Sequence, residues 1–139
     1  MNFYQKTVSL RPRTRGFHLV TGDVVSALPD LRNIRMGMCH LQLQHTSASL
    51  LLNENADPTV RQDFEALMRE LVPENFPYTH DYEGGDDMPA HIKSALFGTS
   101  LSLPVTDGAL TLGTWQGIYL GEHREHGGSR KIVVTLWGV

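Results

Sequence analysis

QHTSASLLLNEN, residues 44–55, is the stretch that decides how this chain folds. It opens at the polar end of one strand, turns through His45-Thr46-Ser47, and enters Leu50-Leu51-Leu52. An apolar run of this length reads as a strand buried on both faces, at the centre of a sheet. It closes on Asn53-Glu54-Asn55, and Asp57-Pro58 follows at once. An acidic cap before proline is a strong helix start, because the missing proline N–H costs nothing in the first turn. A strand, a short link and a helix are therefore expected in sequence. His45 and Glu54 stand at the two ends of that strand. Nine residues separate them, about 30 Å if fully extended at roughly 3.3 Å each. Either a bend at Thr46-Ser47 folds His45 back, or the two serve different sites, one of which a neighbouring chain could share.

Upstream, residues 3–10 (FYQKTVSL) and 16–20 (GFHLV) read as strands. Thr21 is placed to cap a short helix that runs to Leu28 and is stopped by Pro29. Residues 34–44 alternate, with Cys39, Leu41 and Leu43 on one face and Met38, His40 and Gln42 on the other. Downstream, Val60, Phe64, Leu67, Met68 and Leu71 form one apolar stripe, and Pro73 ends that helix. A polar loop, 74–87, leads to a second helix, capped by Asp86 or Asp87 and closed by Gly98. Strands at 100–105, 109–112, 115–121 and 131–137 complete the chain. The sum is an α+β fold, with a β-sandwich-like mixed sheet and two main helices, in a single domain over residues 1–139.

Composition narrows the function classes. The chain is 40% apolar and 19% charged, with a net charge of −3. No basic block points to nucleic acid. No apolar run of about 18 residues points to a membrane span. The N-terminus has no apolar segment behind basic residues, so no signal peptide is expected. Cys39 is the only cysteine, which suits a reducing cytoplasm.

Three histidines lie at element boundaries beside other polar groups: His45, His80 and His91. Imidazoles from separate segments can meet as a divalent metal site with an open position, zinc or magnesium being the candidates. Asp81, Asp86 and Asp87 are then available to orient the rings. The structural alternative is one packed and two solvated histidines, since no pair has the close spacing of a zinc motif. Glu54, at a strand end, is either a desolvated general acid or base or a helix-start carboxylate. Gly127-Gly128-Ser129-Arg130 is either an anion-binding turn, with Ser129 and Arg130 holding phosphate, or a plain hairpin connection. Trp115 is placed to stack on a flat heterocycle with Gln116 reading its edge, or it is core.

These segments carry a resemblance. HTSASLLLNENADPTV, HDYEGGDDMPAHIKSALFGTSLSLPV and LGTWQGIYLGEHREHGGSRK together resemble the YjbQ family, described as secondary thiamine-phosphate synthases. The likeness runs from YQKTVSL to the last strand. It implies an α+β fold and a homotrimer. It also implies an enzyme that joins a pyrimidine methyl diphosphate to a thiazole phosphate, releasing pyrophosphate. On that reading His45, Glu54 and His91 are catalytic, and His45, His80 and His91 can hold metal. Arg130, Ser129, Trp115 and Gln116 contact the phosphorylated substrate. Many relatives carry Asp-Gly-Pro-Arg where this chain has His-Gly-Gly-Ser-Arg, which sets His123 and His126 apart from the shared pattern and leaves Arg130 in place. Two other classes stay open: a metal-dependent hydrolase or phosphate-ester enzyme, and a module that binds a phosphorylated metabolite without turnover.

Overall fold

In the computed structural model, which describes residues 1–139, the alternating segments pair as two antiparallel sheets. The strands are β1 (Asn2–Leu10), β2 (Gly16–Leu19), β3 (Met36–Leu43), β4 (Ala48–Glu54), β5 (Ser100–Thr106), β6 (Ala109–Leu110), β7 (Gln116–Glu122) and β8 (Arg130–Gly138). The helices are α1 (Thr21–Ser26), α2 (Pro58–Leu71) and α3 (Asp87–Phe97), with a 3-10 turn at Pro29–Asn33. One sheet runs β1-β8-β3-β5-β6, the other β2-β7-β4. Every pairing is antiparallel. The expected α+β fold with two main helices is present, and its sandwich-like sheet is built as two antiparallel sheets. Cys39, Leu41 and Leu43 of β3 point inward, as do Ile132, Val134 and Leu136 of β8. They meet Leu50, Ile118 and Leu120 of the second sheet in one shared core.

The leucine run departs from expectation. β4 is an edge strand, and only Leu50 of its three leucines is fully buried. The centre of that sheet is β7, buried from Gly117 to Glu122. Its glycines read as weak strand formers, yet the packing requires them. A Cβ on Gly121 would stand 2.2 Å from Ser49 Oγ, and one on Gly117 would stand 2.7 Å from Leu19 Cδ2. The open edge of β4 is covered by α3, where Leu50 N–H donates to the Gly98 carbonyl at 3.0 Å. Gly98, at φ 93°, closes α3 as expected.

Two caps differ in kind. Asp57 caps α2 through Thr59 N–H at 2.9 Å, with Pro58 next in the chain. Asp86 precedes α3 without capping it, because its carboxylate accepts the Glu125 N–H at 2.8 Å instead. Thr21 likewise caps nothing: its hydroxyl accepts from Ile118 N–H at 2.8 Å and ties α1 to β7. On α2 the apolar stripe is only partly covered, and Leu67 and Leu71 are exposed. No helix is long and apolar enough to cross a membrane.

Candidate metal centre

The loop before α3 and the first turns of that helix bring four ligand types together. His80 and Glu83 come from the loop, Asp87 and His91 from the helix. One ligand atom from each lies within 4.8 Å of the others. Asp87 and His91 are four apart, so they share a helix face. Asp87 is 2% exposed and is the hub. Its Oδ1 accepts from Arg124 Nη1 at 2.6 Å. Its Oδ2 faces His80 Nε2 at 2.7 Å and His91 Nε2 at 3.3 Å. His80 Nε2 also lies 3.2 Å from Glu83 Oε2. Burial opposes ionisation of Asp87, but the hydrogen bonds of His80 and Glu83 and the charges of His91 and Arg124 outweigh it. The carboxyl is held below the usual range.

The contacts of His91 fix its tautomer. Its Nδ1 lies 2.8 Å from the Thr46 carbonyl, and a carbonyl only accepts, so Nδ1 carries the proton. In the neutral ring Nε2 is then a lone pair, and it faces the Asp87 oxygen. Two acceptors in that position repel unless a cation, either a proton on Nε2 or a metal ion, lies between them. The Thr46 contact is also the kind of second bond that fixes the tautomer of a metal-ligating histidine. Two imidazole nitrogens and two carboxylates fit a divalent cation, zinc better than magnesium, since imidazole is a poor partner for the latter.

His91 also lines an open polar cleft of about 630 Å³ between β3 and α3. Gln42, Gln44, His45, Thr46 and Thr99 share its walls, with no arginine or lysine among them. A smaller hollow of about 140 Å³ is lined by His80 together with Phe76, Tyr78 and Asp81.

The other expected residues fall elsewhere. His45 lines the cleft but stands outside the four-residue cluster, so the expected three-histidine set becomes two histidines and two carboxylates. Its Nε2 accepts the Lys131 N–H at 2.8 Å, and burial, with the Arg130 charge behind it, lowers its pKa. Glu54 stands at the far end of β4. Ala48 pairs with Glu122, whereas Glu54 pairs with Gln116, about 20 Å away along the strand at roughly 3.3 Å per residue. Within one chain His45 and Glu54 therefore form no dyad. Glu54 Oε2 is shielded without a partner. Trp115 is at that same end and is 65% exposed, so it is not core. Gln116 accepts the Gly113 N–H at 2.9 Å.

Arg130 needs correction as a phosphate ligand. It is 3% exposed, and its guanidinium turns inward to Glu122, with Nε at 2.8 Å and Nη2 at 2.6 Å from the two carboxylate oxygens. Gly127 leaves the room for this pair, since a Cβ there would meet Glu122 Oε1 at 2.4 Å. Ser129 is similarly engaged, donating to the Leu10 carbonyl at 2.6 Å. His123 is buried, shares a hydrogen bond with Ser49 Oγ at 2.8 Å and stacks on Phe97. His126 is exposed.

Sequence reasoning missed Glu83 and Arg124. Glu83 sits in a turn whose path no periodicity reveals. Arg124 lies in His-Arg-Glu-His, just before the Gly127-Gly128 turn. In the fold this tip docks on the loop, and Arg124 bonds the Glu83 carbonyl at 3.0 Å as well as Asp87. The i, i+4 spacing of Asp87 and His91 was the one available signal for the hub.

Known proteins share this chain's sequence and fold. The family model for UPF0047 protein YjbQ-like proteins matches residues 6–139. The UPF0047 protein YjbQ of Escherichia coli O157:H7 is 60% identical over 136 residues, covering 98% of this chain and 99% of that protein. A UPF0047 protein of Synechocystis is 45% identical over 115 residues, covering 82% of this chain and 78% of its own length. The crystal structure of an uncharacterised YjbQ/UPF0047 protein from Clostridium acetobutylicum superposes with a TM-score of 0.83 at 34% identity, covering 95% of this chain and 99% of that one. A YjbQ-like structure from Sulfolobus solfataricus shares the fold at TM-score 0.87 with 22% identity, over 99% of both chains. On this evidence the chain belongs to the YjbQ, or UPF0047, family.

Proposed function

We propose that this chain is a divalent-metal-dependent enzyme acting on a phosphorylated small molecule, with His80, Glu83, Asp87 and His91 as the metal ligands. The observation that carries this reading is the convergence of four ligand atoms within 4.8 Å of one another around the buried Asp87 carboxylate, with His91 Nε2 at 3.3 Å and its Nδ1 held by the Thr46 carbonyl. A divalent ion there supplies Lewis-acid stabilisation of charge developing on a phosphate oxygen. Arg124 holds Asp87 in place, and the amides and hydroxyls of Gln42, Gln44, Thr46 and Thr99 offer neutral hydrogen bonds to a polar substrate in the adjoining cleft.

The specific reaction proposed is thiamine-phosphate synthesis, implied by the family resemblance. The thiazole nitrogen forms a C–N bond to the pyrimidine methylene while the bond to diphosphate breaks, releasing pyrophosphate. Glu54 and Trp115 join this chemistry only if a neighbouring chain supplies them, and a homotrimer would do so. The exposed Leu67 and Leu71 on α2 support self-association. Sedimentation at micromolar concentration is expected to give three chains, and a monomer would remove the shared-site reading. The buried, unpaired Cys39 suits the proposed cytoplasmic location.

The test is product formation from the two phosphorylated precursors by chelated and metal-restored protein, beside His91→Ala. Activity should require metal and vanish in the variant while the fold persists. Full activity in His91→Ala would remove the assignment. A second reading, a metal-dependent phosphate-ester hydrolase, is favoured by one observation. The cleft has no arginine or lysine for a second phosphorylated substrate. Release of inorganic phosphate from a single substrate would favour it.

A further inference from the structure

A separate cleft, of about 430 Å³, lies between β2 and α2. Arg61, Glu65 and Arg69 line it from α2 at i, i+4 and i+8, so the three stack on one helix face. Arg15 and His18 line the facing wall. Three guanidinium groups thus share one cleft with a single carboxylate in its lining.

The pairing within it is uneven. Glu65 Oε1 lies 3.0 Å from Arg69 Nε and 3.4 Å from Arg15 Nε. Arg15 is further engaged by Glu74 and Glu125 outside the cleft. Arg69 uses only its Nε on Glu65, and its side chain is half exposed. His18 donates Nε2–H to the Thr14 carbonyl at 2.7 Å, which leaves Nδ1 as an acceptor in the neutral ring. Arg61 makes no ion pair and no hydrogen bond to any carboxylate. Its guanidinium carbon lies 5.9 Å over the Tyr119 ring, and its Nε is shielded from solvent without a partner.

With Nε covered, the terminal N–H groups of Arg61 have no protein partner, and an anion in the cleft can meet them with charge-assisted bonds. Guanidinium forks match phosphate oxygens in pairs, and the cleft volume is that of a small-molecule site. We infer that this cleft binds a phosphate- or diphosphate-bearing small molecule, with Arg61 as the principal ligand and Arg69 as the second. The site stands apart from the metal centre and shares no residue with it.

Calorimetric titration of the full chain with inorganic pyrophosphate tests this, with inorganic phosphate in parallel and chloride at matched ionic strength as control. In chelated protein, where the metal centre makes no contribution, wild type and His91→Ala should bind pyrophosphate alike, because the cleft does not use the metal ligands. Arg61→Gln should weaken binding at least tenfold, and the half-exposed Arg69→Gln at least threefold without disturbing the fold. Stronger binding of pyrophosphate than phosphate identifies a diphosphate group, and equal binding a single phosphoryl group. Unchanged affinity in Arg69→Gln and in a folded Arg61→Gln would overturn the inference. So would binding lost in His91→Ala alone, or no binding above chloride.

Discussion

Two buried carboxylates sit close together in the fold and do opposite things. Glu122, at the end of β7, gives both oxygens to Arg130, and the pair is sealed from solvent. Asp87, at the start of α3, gives one oxygen to Arg124 and turns the other toward two histidines at the surface. Each carboxylate has an arginine. The difference is that Glu122 is closed on itself, whereas Asp87 keeps an open side. The two are linked through the tip that follows β7, where Arg124 N–H donates to Glu122 Oε2 at 3.2 Å and the Arg124 side chain reaches Asp87. A closed pair anchors the tip, and the anchored tip holds the open one.

The strongest way to break this contrast is Glu122→Ala. It leaves the Arg130 charge buried and unpaired, a loss of about 3–5 kcal/mol. Urea denaturation should show it, together with loss of metal binding as the tip comes free. A variant as stable as wild type would mean the pair does not anchor the tip. Asp87→Ala should do the reverse. We expect divalent-metal affinity to fall at least about 100-fold, as an outer-shell change alone costs 10–100-fold. The variant should remain folded by circular dichroism, and retention of wild-type affinity would show that Asp87 is no hub. Arg124→Ala should be milder, weakening metal roughly tenfold because only the orientation of Asp87 is lost. An affinity equal to wild type would mean the clamp is ornamental.

The smallest effect at neutral pH is expected at His123, and acid brings it out. Burial, reinforced by the charges of Lys93, Arg130 and Arg15, pushes its pKa down to about 3. Unfolded, it takes a proton near pH 6.5. Between those values the unfolded state holds more protons, so stability falls as pH drops from about 6.5 to about 3. Asp87 acts in the same direction at lower pH: its depressed value adds stability above the ordinary carboxylate range, lost as pH falls through the folded pKa. His123→Leu should flatten the loss between pH 6.5 and 4 by up to about 1.4 kcal/mol per pH unit. An unchanged slope would assign the acid sensitivity elsewhere.

Much of the fold was legible because its signals are local. Alternation marked β3 as a strand with two unlike faces, and Asp57-Pro58 marked α2 at its first residue. The strand at the sheet centre was not legible. Three leucines look more buried than Gln-Gly-Ile-Tyr-Leu-Gly-Glu, yet close packing against Ser49 and Leu19 puts the glycine-bearing strand in the middle. At the site, His80 and His91 were legible as titratable groups at element boundaries. Their grouping was not, because it depends on a loop path and on a hairpin tip 37 residues from Asp87. Arg130 misled for the same reason: its partner Glu122 becomes visible only when the hairpin closes.

The most direct test of the metal centre is elemental analysis of untagged, metal-restored wild type beside Asp87→Ala and His91→Ala. One equivalent of zinc per chain in wild type, and almost none in either folded variant, is the predicted result. No stoichiometric metal in wild type, or equal metal in all three, would contradict it.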